Sequence, residues 1–262
     1  GGRRAVRVVL EVGTHSPWIS RLLSELGMEV VVANPRKLRL IYENPRKTDR
    51  ADAEYLARVG RMDPNLLAPV AHRGRRAQAD LATLRAQDQL VKIRSQLINH
   101  VRGAVKSWGE RLPKCSTPAF ARRVEACIPE ALRTALKPLI RQIQEITDTI
   151  QTYDEEMERL SEERYPETRL LRQVSGVGPK TALCFVLTIE DPARFRRSRM
   201  VGPYLGLVPR QDDSGDRKRS GRITKCGDGM CRWLLVQSAH YVLGPFGPDS
   251  DLRRWGEQLM ER

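Results

Sequence analysis

Asp49 and Asp52 stand three residues apart in the stretch KTDRADAEYLAR, from Lys47 to Arg58. The stretch reads as a helix start: Thr48 or Asp49 can cap it, Ala51, Ala53, Leu56 and Ala57 favour it, and Pro45 lies just upstream. On a helix that spacing sends both carboxylates out of one face. Like charges so placed repel, and a divalent cation such as Mg²⁺ reverses the sign by binding carboxylates together with substrate phosphate oxygens. The pair also serves as an acidic first turn complementing the helix dipole, and D-x-x-D by itself does not separate the two. A third carboxylate, Glu11, closes the run AVRVVLEV (Ala5 to Val12). Alone it is a strand-end glutamate facing water. With Asp49 and Asp52 it makes three carboxylates at one sheet edge, the way metal sites for phosphoryl transfer are built.

A second group of reactive residues lies far along the chain. Between Arg194 and Arg232 there are eleven Lys and Arg against four acids, and within that segment runs the loop QDDSGDRKRSGRITK, Gln211 to Lys225. It holds two serines, Ser214 and Ser220. A serine in a basic, glycine-containing loop is either a solvated turn residue or a nucleophile toward phosphate whose transition state the cations neutralise. Composition alone does not choose.

The elements that would position these groups follow from periodicity. Ala5 to Val12 is a buried strand, Ser16-Pro17 an N-cap with proline at the first helical position, and Trp18, Ile19, Leu22, Leu23 and Leu26 an apolar helix face stopped by Gly27. Glu29 to Ala33 is a second strand, so the unit is βαβ with a parallel pair and a right-handed crossover. Glu11 then falls at a strand's carboxyl end, where open α/β sheets place ligands. Leu90, Ile93, Leu97, Val101 and Ala104 mark a helix. After Pro138, placed at a helix start, Leu139, Ile143, Ile146, Ile150, Tyr153, Met157 and Leu160 form an a/d seam. That seam fits an intramolecular hairpin or a pairing with a second copy. VSGVGPKTA, Val174 to Ala182, resembles a helix-hairpin-helix DNA-backbone motif, with Gly176 and Gly178 permitting a tight turn and Lys180 near a helix start; the plainer alternative is an interhelical turn.

Composition bounds the partner. The formal charge is +14 with 40% hydrophobic and 5% aromatic residues, enough apolar content for a core and a balance that points to a polyanion, nucleic acid first. Five cysteines without C-x-x-C, and four scattered histidines, exclude a zinc-ligand pattern and a disulfide framework and fit a reducing cytoplasm. No apolar run approaches membrane-spanning length and no signal peptide is visible, so no membrane association is expected.

Together KTDRADAEYLAR, SGVGPKTALCFVLTIEDPARF and YLGLVPRQDDSGDRKRSGRITKCGDGMCRWLLVQSA resemble the DEDD-type transposases of bacterial insertion sequences, in the family's order and over nearly the whole chain. The resemblance implies serine recombinases guided by a bridge RNA. It also implies an amino-terminal RNase H-like (resolvase-like) domain whose four acids bind Mg²⁺, a helical coiled-coil, and a transposase domain presenting the serine. Matched residue by residue, Glu11, Asp49 and Asp52 fall on three of the acids. Ser214, followed by Gly215, falls on the serine ahead of the I-T-K-x-G motif, and Ser220 has no such counterpart. The family's first aspartate lies on a strand upstream of Gly1, so the chain looks cut short there and, at Arg262, at its other end.

The expected architecture is α/β plus all-α: residues 1–72 a partial RNase H-like domain, 73–166 a helical coiled-coil, and 167–262 a mostly α transposase domain. The expected function is DNA cleavage and rejoining during transposition. In it Ser214 attacks phosphate, metal sits at Glu11, Asp49 and Asp52, and Arg217, Lys218, Arg222 and Lys225 neutralise the phosphate. Expected partners are DNA, a guide RNA and a further copy of the chain. Two alternatives are a catalytically incomplete nucleic-acid-binding remnant and a metal-dependent nuclease that uses water.

Overall fold

A computed structural model describes residues 6–35, 38, 48–211 and 220–261, and the chain divides into two compact units, Gly1–Gly74 and Arg75–Arg262. The first unit is α/β. Strand β1 (Arg7–Glu11) pairs in parallel with β2 (Glu29–Ala33), in register from Arg7 opposite Glu29 to Glu11 opposite Ala33, and helix α1 (Ser16–Glu25) makes the crossover. Helix α2 (Asp49–Met62) follows, capped by Thr48, whose Oγ1 accepts the Ala51 N–H at 3.2 Å. Val31, Ala33, Leu38, Leu56 and Leu67 form the core, with Val9, Tyr55 and Val59 packed on it.

Burial separates the two strands. β2 buries Val31, Val32 and Ala33, whereas β1, expected to be buried, is only half covered. Its single described neighbour is β2, so β-branched composition alone did not guarantee burial. Ser16 differs too. It lies inside α1, and its hydroxyl reaches back to the Gly13 backbone and to His72 Nε2 at 2.8 Å. The face of α1 carrying Trp18 and Leu22 is largely exposed, as is Leu26.

The second unit is mostly helical. Helices α3 (Arg75–Ser107) and α5 (Arg133–Glu163) form a long antiparallel hairpin, α3 being roughly 50 Å at 1.5 Å per residue. Between them lies the short α4 (Phe120–Val124). Pro138, expected at a helix start, sits inside α5, which begins five residues earlier at Arg133. The remaining elements are α6 (Thr168–Leu171), α7 (Pro179–Ile189), α8 (Val201–Leu205), the antiparallel strands β3 (Pro209–Gln211) and β4 (Ser220–Ile223), α9 (Gly229–Leu243) and α10 (Asp251–Met260). No helix among the described residues is long and apolar enough to cross a membrane.

Two cores hold the hairpin. At one end Ala77, Leu81 and Leu84 meet Met157 and Leu160 and continue into Leu183, Leu187, Leu205 and Leu234, so the carboxy-terminal helices share a core with the hairpin's base. At the other end Ile98, Val101 and Val105 pack with Phe120, Val124, Leu136, Ile140 and Ile143. The middle is polar. Buried Gln87 donates from Nε2 to Asp154 Oδ1 at 2.9 Å, and buried Arg94 reaches Thr147 Oγ1 at 3.4 Å while its Nε has no partner. At the base, buried Asp80 accepts from Arg164 Nη1 at 3.0 Å and from the Tyr165 hydroxyl at 2.7 Å. Burial, then the neighbouring Asp80 carboxylate, pushes the Tyr165 phenol up to about 12.

The α5 seam is close to the one expected. Ile143, Ile150, Met157 and Leu160 are buried, and Leu139, Ile146 and Tyr153 are half-buried. On α3 the inward face is displaced from the apolar stripe. Of Leu90, Ile93, Leu97, Val101 and Ala104 only Val101 is fully buried, and the seam runs instead through Asp80, Leu84, Gln87, Arg94, Ile98 and Val105. A polar residue that finds a partner across the seam can replace an apolar one there.

Candidate acidic edge and basic surface

Helix α2, which carries Asp49 and Asp52 in its first turn, is anchored near its other end. Gly60, near its carboxyl end, packs on β1: a Cβ there would lie 2.5 Å from Val9 Cγ2, and Arg7 Nη1 donates to the Gly60 carbonyl at 2.8 Å. The carboxyl-terminal part of α2 is thus seated on β1. Both aspartates lie in the first turn of α2. Glu11 and Asp49 are exposed and Asp52 is half-buried. Among the described residues no three His, Cys, Asp or Glu side chains are grouped closely enough to hold a metal ion. The donor chemistry, carboxylate oxygens alone, fits a hard divalent cation that takes part of its coordination from water and substrate phosphate.

The same unit holds a feature that sequence reasoning left among scattered histidines. His72 lines a cleft of about 410 Å³ with Ser20, Arg21, Ser24, Val32 and Arg73. Burial, and then the positive charges of Arg21 and Arg73, lower its pKa below the ordinary 6.5 and favour the neutral ring. Its partner Ser16 lies 56 residues away in sequence, so no local pattern announced the pair.

In the second unit the basic segment is built on backbone contact. At Gly206 (φ 69°) a Cβ would lie 2.3 Å from the Cys226 backbone N and O, and at Gly227 (φ 75°) one would lie 2.1 Å from the Tyr204 carbonyl oxygen. The turn after α8 and the turn before α9 thus press together. Lys225 N–H donates to the Gly206 carbonyl at 3.1 Å, with Lys225 itself at φ 54°. Arg232 Nη1 donates to the carbonyls of Leu205 and Cys226, each at 2.8 Å. Asp228 caps α9 by accepting the Met230 and Cys231 N–H groups at 3.0 Å, and Arg85 of α3 pairs with it at 3.1 Å. Strands β3 and β4 rise from this clamp, with Pro209 opposite Ile223 and Gln211 opposite Ser220. Arg222, on β4, and Lys225 are exposed; Ser214, Arg217 and Lys218 lie outside the described residues.

A neighbouring cationic surface was legible only as charge. The Arg194 guanidinium lies 4.8 Å from the ring centroid of Tyr204 and 5.4 Å from that of Phe195, and the two rings meet edge to face at 5.3 Å. Arg196, Arg197 and Arg199 follow, all exposed and without a side-chain partner among the described residues. An ordered guanidinium stacked on aromatics, next to free ones, suits phosphate and base stacking.

The turn between α6 and α7 is used differently from the expectation. Gly176 (φ 83°) is glycine because α9 packs on it: a Cβ would lie 2.7 Å from Tyr241 Cδ1. Gly178 precedes α7 in extended conformation with open space around it. Lys180 is turned inward. Its Nζ donates to Gln87 Oε1 at 2.6 Å and sits 3.6 Å from Asp88, tying α7 to α3 rather than standing free for phosphate. Cys184 and Cys231, buried in the same core, interact so that the Cys231 thiol and burial hold Cys184 protonated.

Comparison with known proteins identifies the family. Residues 168–251 match the family described as "Transposase IS116/IS110/IS902 family", and residues 2–108 match the DEDD transposase domain of the IS110 type. The chain is 30% identical over 265 residues to a Pseudomonas aeruginosa protein named "Probable family 20 transposase", covering 97% of this chain and 77% of that one. It is 27% identical to the Coxiella burnetii "Transposase for insertion sequence element IS1111A" (97% of this chain, 71% of the other). It is 28% identical to the Yersinia enterocolitica "Transposase for insertion sequence element IS1328" (90% and 70%). The chain belongs to the IS116/IS110/IS902 family of insertion-sequence transposases.

Proposed function

We propose that this transposase cleaves and rejoins DNA through Ser214, with Glu11, Asp49 and Asp52 as the acidic residues of an RNase H-like domain. The single observation that carries the reading is the clamp at Gly206, Gly227 and Arg232, which fixes both strands flanking the serine loop and leaves Arg222 and Lys225 exposed beside it. A loop with a rigid base can present a nucleophile in a repeatable position. The Ser214 hydroxyl attacks phosphorus and gives up its proton, the bond from phosphorus to one bridging oxygen breaks with that oxygen taking up a proton and leaving as a free strand-end hydroxyl, and the phosphate-bearing strand end is held as a phosphoserine ester. Arg217, Lys218, Arg222 and Lys225 offset the charge gathered on the non-bridging oxygens. When bound, Mg²⁺ would supply Lewis-acid stabilisation at the acidic edge, held by Glu11, Asp49 and Asp52. The stacked and free arginines from Arg194 to Arg199 bind nucleic-acid backbone, and Gly178 lets a strand approach the start of α7. On this reading DNA and a guide RNA are the partners, the active form contains more than one copy, the hairpin is the coiled-coil region, and the protein works in the cytoplasm.

The test is a denaturant-resistant protein–DNA adduct formed on an insertion-sequence end in the presence of Mg²⁺. Ser214→Ala should abolish it and Ser220→Ala should leave it. Cutting that depends on Mg²⁺ but leaves no adduct would make the enzyme a water-using nuclease instead.

A further inference from the structure

The cleft beside His72 holds a ring nitrogen that strand cleavage does not use. Ser16 is buried, and its single hydroxyl hydrogen goes to the Gly13 carbonyl at 2.8 Å, while its oxygen accepts the Gly13 N–H at 3.1 Å. The 2.8 Å contact with His72 must then be donated by the ring, so Nε2 carries the hydrogen. In a neutral imidazole that leaves Nδ1 as a bare acceptor. Nδ1 has no partner among the described residues, and the half-buried ring lies on the cleft wall.

The surroundings say what such an acceptor could meet. Arg21 of α1 and Arg73 line the cleft with one acid, Glu25, so two guanidinium charges face a single carboxylate. Burial, and then those two positive charges, favour the neutral ring. Both arginines already make contacts, but a guanidinium carries several N–H donors in a fixed fork, and a contact on one edge leaves others for an anion. Val30, Val32, Val70 and Ala71 add an apolar wall, and a volume of about 410 Å³ suits a small molecule. The anion must also bring a proton for Nδ1. A phosphodiester and a carboxylate carry none at neutral pH. A phosphate monoester, with a second pKa of about 6, carries one part of the time.

We propose that this cleft binds a small-molecule phosphate monoester, with Arg21 and Arg73 on the phosphate oxygens, one proton shared with His72 Nδ1, and the ligand's apolar body on the valine wall. The inference takes nothing from the strand-cleavage reading, and its ligand is not a nucleic-acid strand.

Nuclear magnetic resonance of the full chain with nitrogen-15-labelled histidine rings, in EDTA at constant ionic strength, tests it. The probes are inorganic phosphate, adenosine 5′-monophosphate and dimethyl phosphate, and His72→Gln assigns the resonance. Without ligand, the wild-type ring at mildly alkaline pH should show Nε2 protonated and Nδ1 bare, a readout independent of any variant's folding. Inorganic phosphate and the nucleotide should shift the His72 signals saturably and raise the ring's pKa, the nucleotide binding about tenfold tighter through the apolar wall. Dimethyl phosphate should do neither. Arg73→Ala should weaken nucleotide binding by about tenfold to a hundredfold, the worth of a hydrogen bond to a charged group, whereas Arg58→Ala on α2 should leave it unchanged. The opposite tautomer, or no shift with either monoester, overturns the site and leaves the transposase reading standing. Dimethyl phosphate binding as tightly as the nucleotide overturns the selection of a monoester. A nucleotide no tighter than inorganic phosphate overturns the role given to the apolar wall.

Discussion

Around Gly206 and Gly227 two backbone turns touch, an arginine ties both to α9, and an aspartate caps the helix that follows. Around Asp49 and Asp52 little is fixed among the described residues beyond the helix itself. The Thr48 cap starts α2, the core of the unit lies at Leu56 and beyond, and both carboxylates reach solvent. The contrast fits a division of labour. A nucleophile gains from a position built into the fold. Carboxylates that bind a hard cation with substrate phosphate can stay open until both arrive.

Substitutions should therefore have opposite consequences in the two regions. The largest loss is expected for Gly227→Ala, which places a Cβ against the Tyr204 carbonyl at a backbone angle that favours glycine: about 3 kcal/mol or more by chemical denaturation. Gly229→Ala, where the nearest contact for a Cβ is an arginine tip at 3.6 Å, is the matched control and should be nearly neutral. Next comes Arg232→Ala. It strips a charged donor from two carbonyls and should cost about 2 kcal/mol, with faster amide exchange from Tyr204 to Cys226. At the acidic edge, Asp49→Asn and Asp52→Asn should each change stability by less than about 0.5 kcal/mol, since neither residue is a core contact. Each should nevertheless abolish Mg²⁺-dependent strand cleavage. A large stability loss in either aspartate variant would break the comparison.

The smallest effect concerns pH in the first unit. The His72 pKa is lowered in the folded protein, so the unfolded chain binds more protons just below 6.5. The stability contribution is complete above that value and is lost as pH falls from 6.5 toward the lowered one. Hydrogen exchange of the β1 and β2 amides should quicken over that interval in wild type and stay flat in His72→Gln.

Much of the scaffold was legible because local patterns and tertiary packing agreed. Strand, helix and strand followed from β-branched runs and from Gly27, and the α5 seam from the spacing of Ile143, Ile150, Met157 and Leu160. Reading failed where a polar side chain found a distant partner. Gln87 and Arg94 occupy seam positions because Asp154 and Thr147 face them, which moved the α3 interface off its apolar stripe. Lys180 beside a glycine turn looked like a phosphate contact, but Gln87 and Asp88, some ninety residues earlier, take its ammonium. The need for glycine at 176 comes from Tyr241. The carboxylates and the basic segment could be found from residue type alone. The Arg194 stack required Tyr204 to be brought beside Phe195, which charge counting does not show.

The central claim is that the nucleophile belongs to the clamped loop. The most direct measurement is protease digestion of a DNA adduct trapped in Mg²⁺, followed by mass spectrometry of the peptide that retains nucleotide. The account predicts one modified residue, Ser214, within the segment flanked by Gln211 and Ser220. Nucleotide on Ser220 or on a peptide from another part of the chain, or cleaved DNA with no peptide attached, would contradict it.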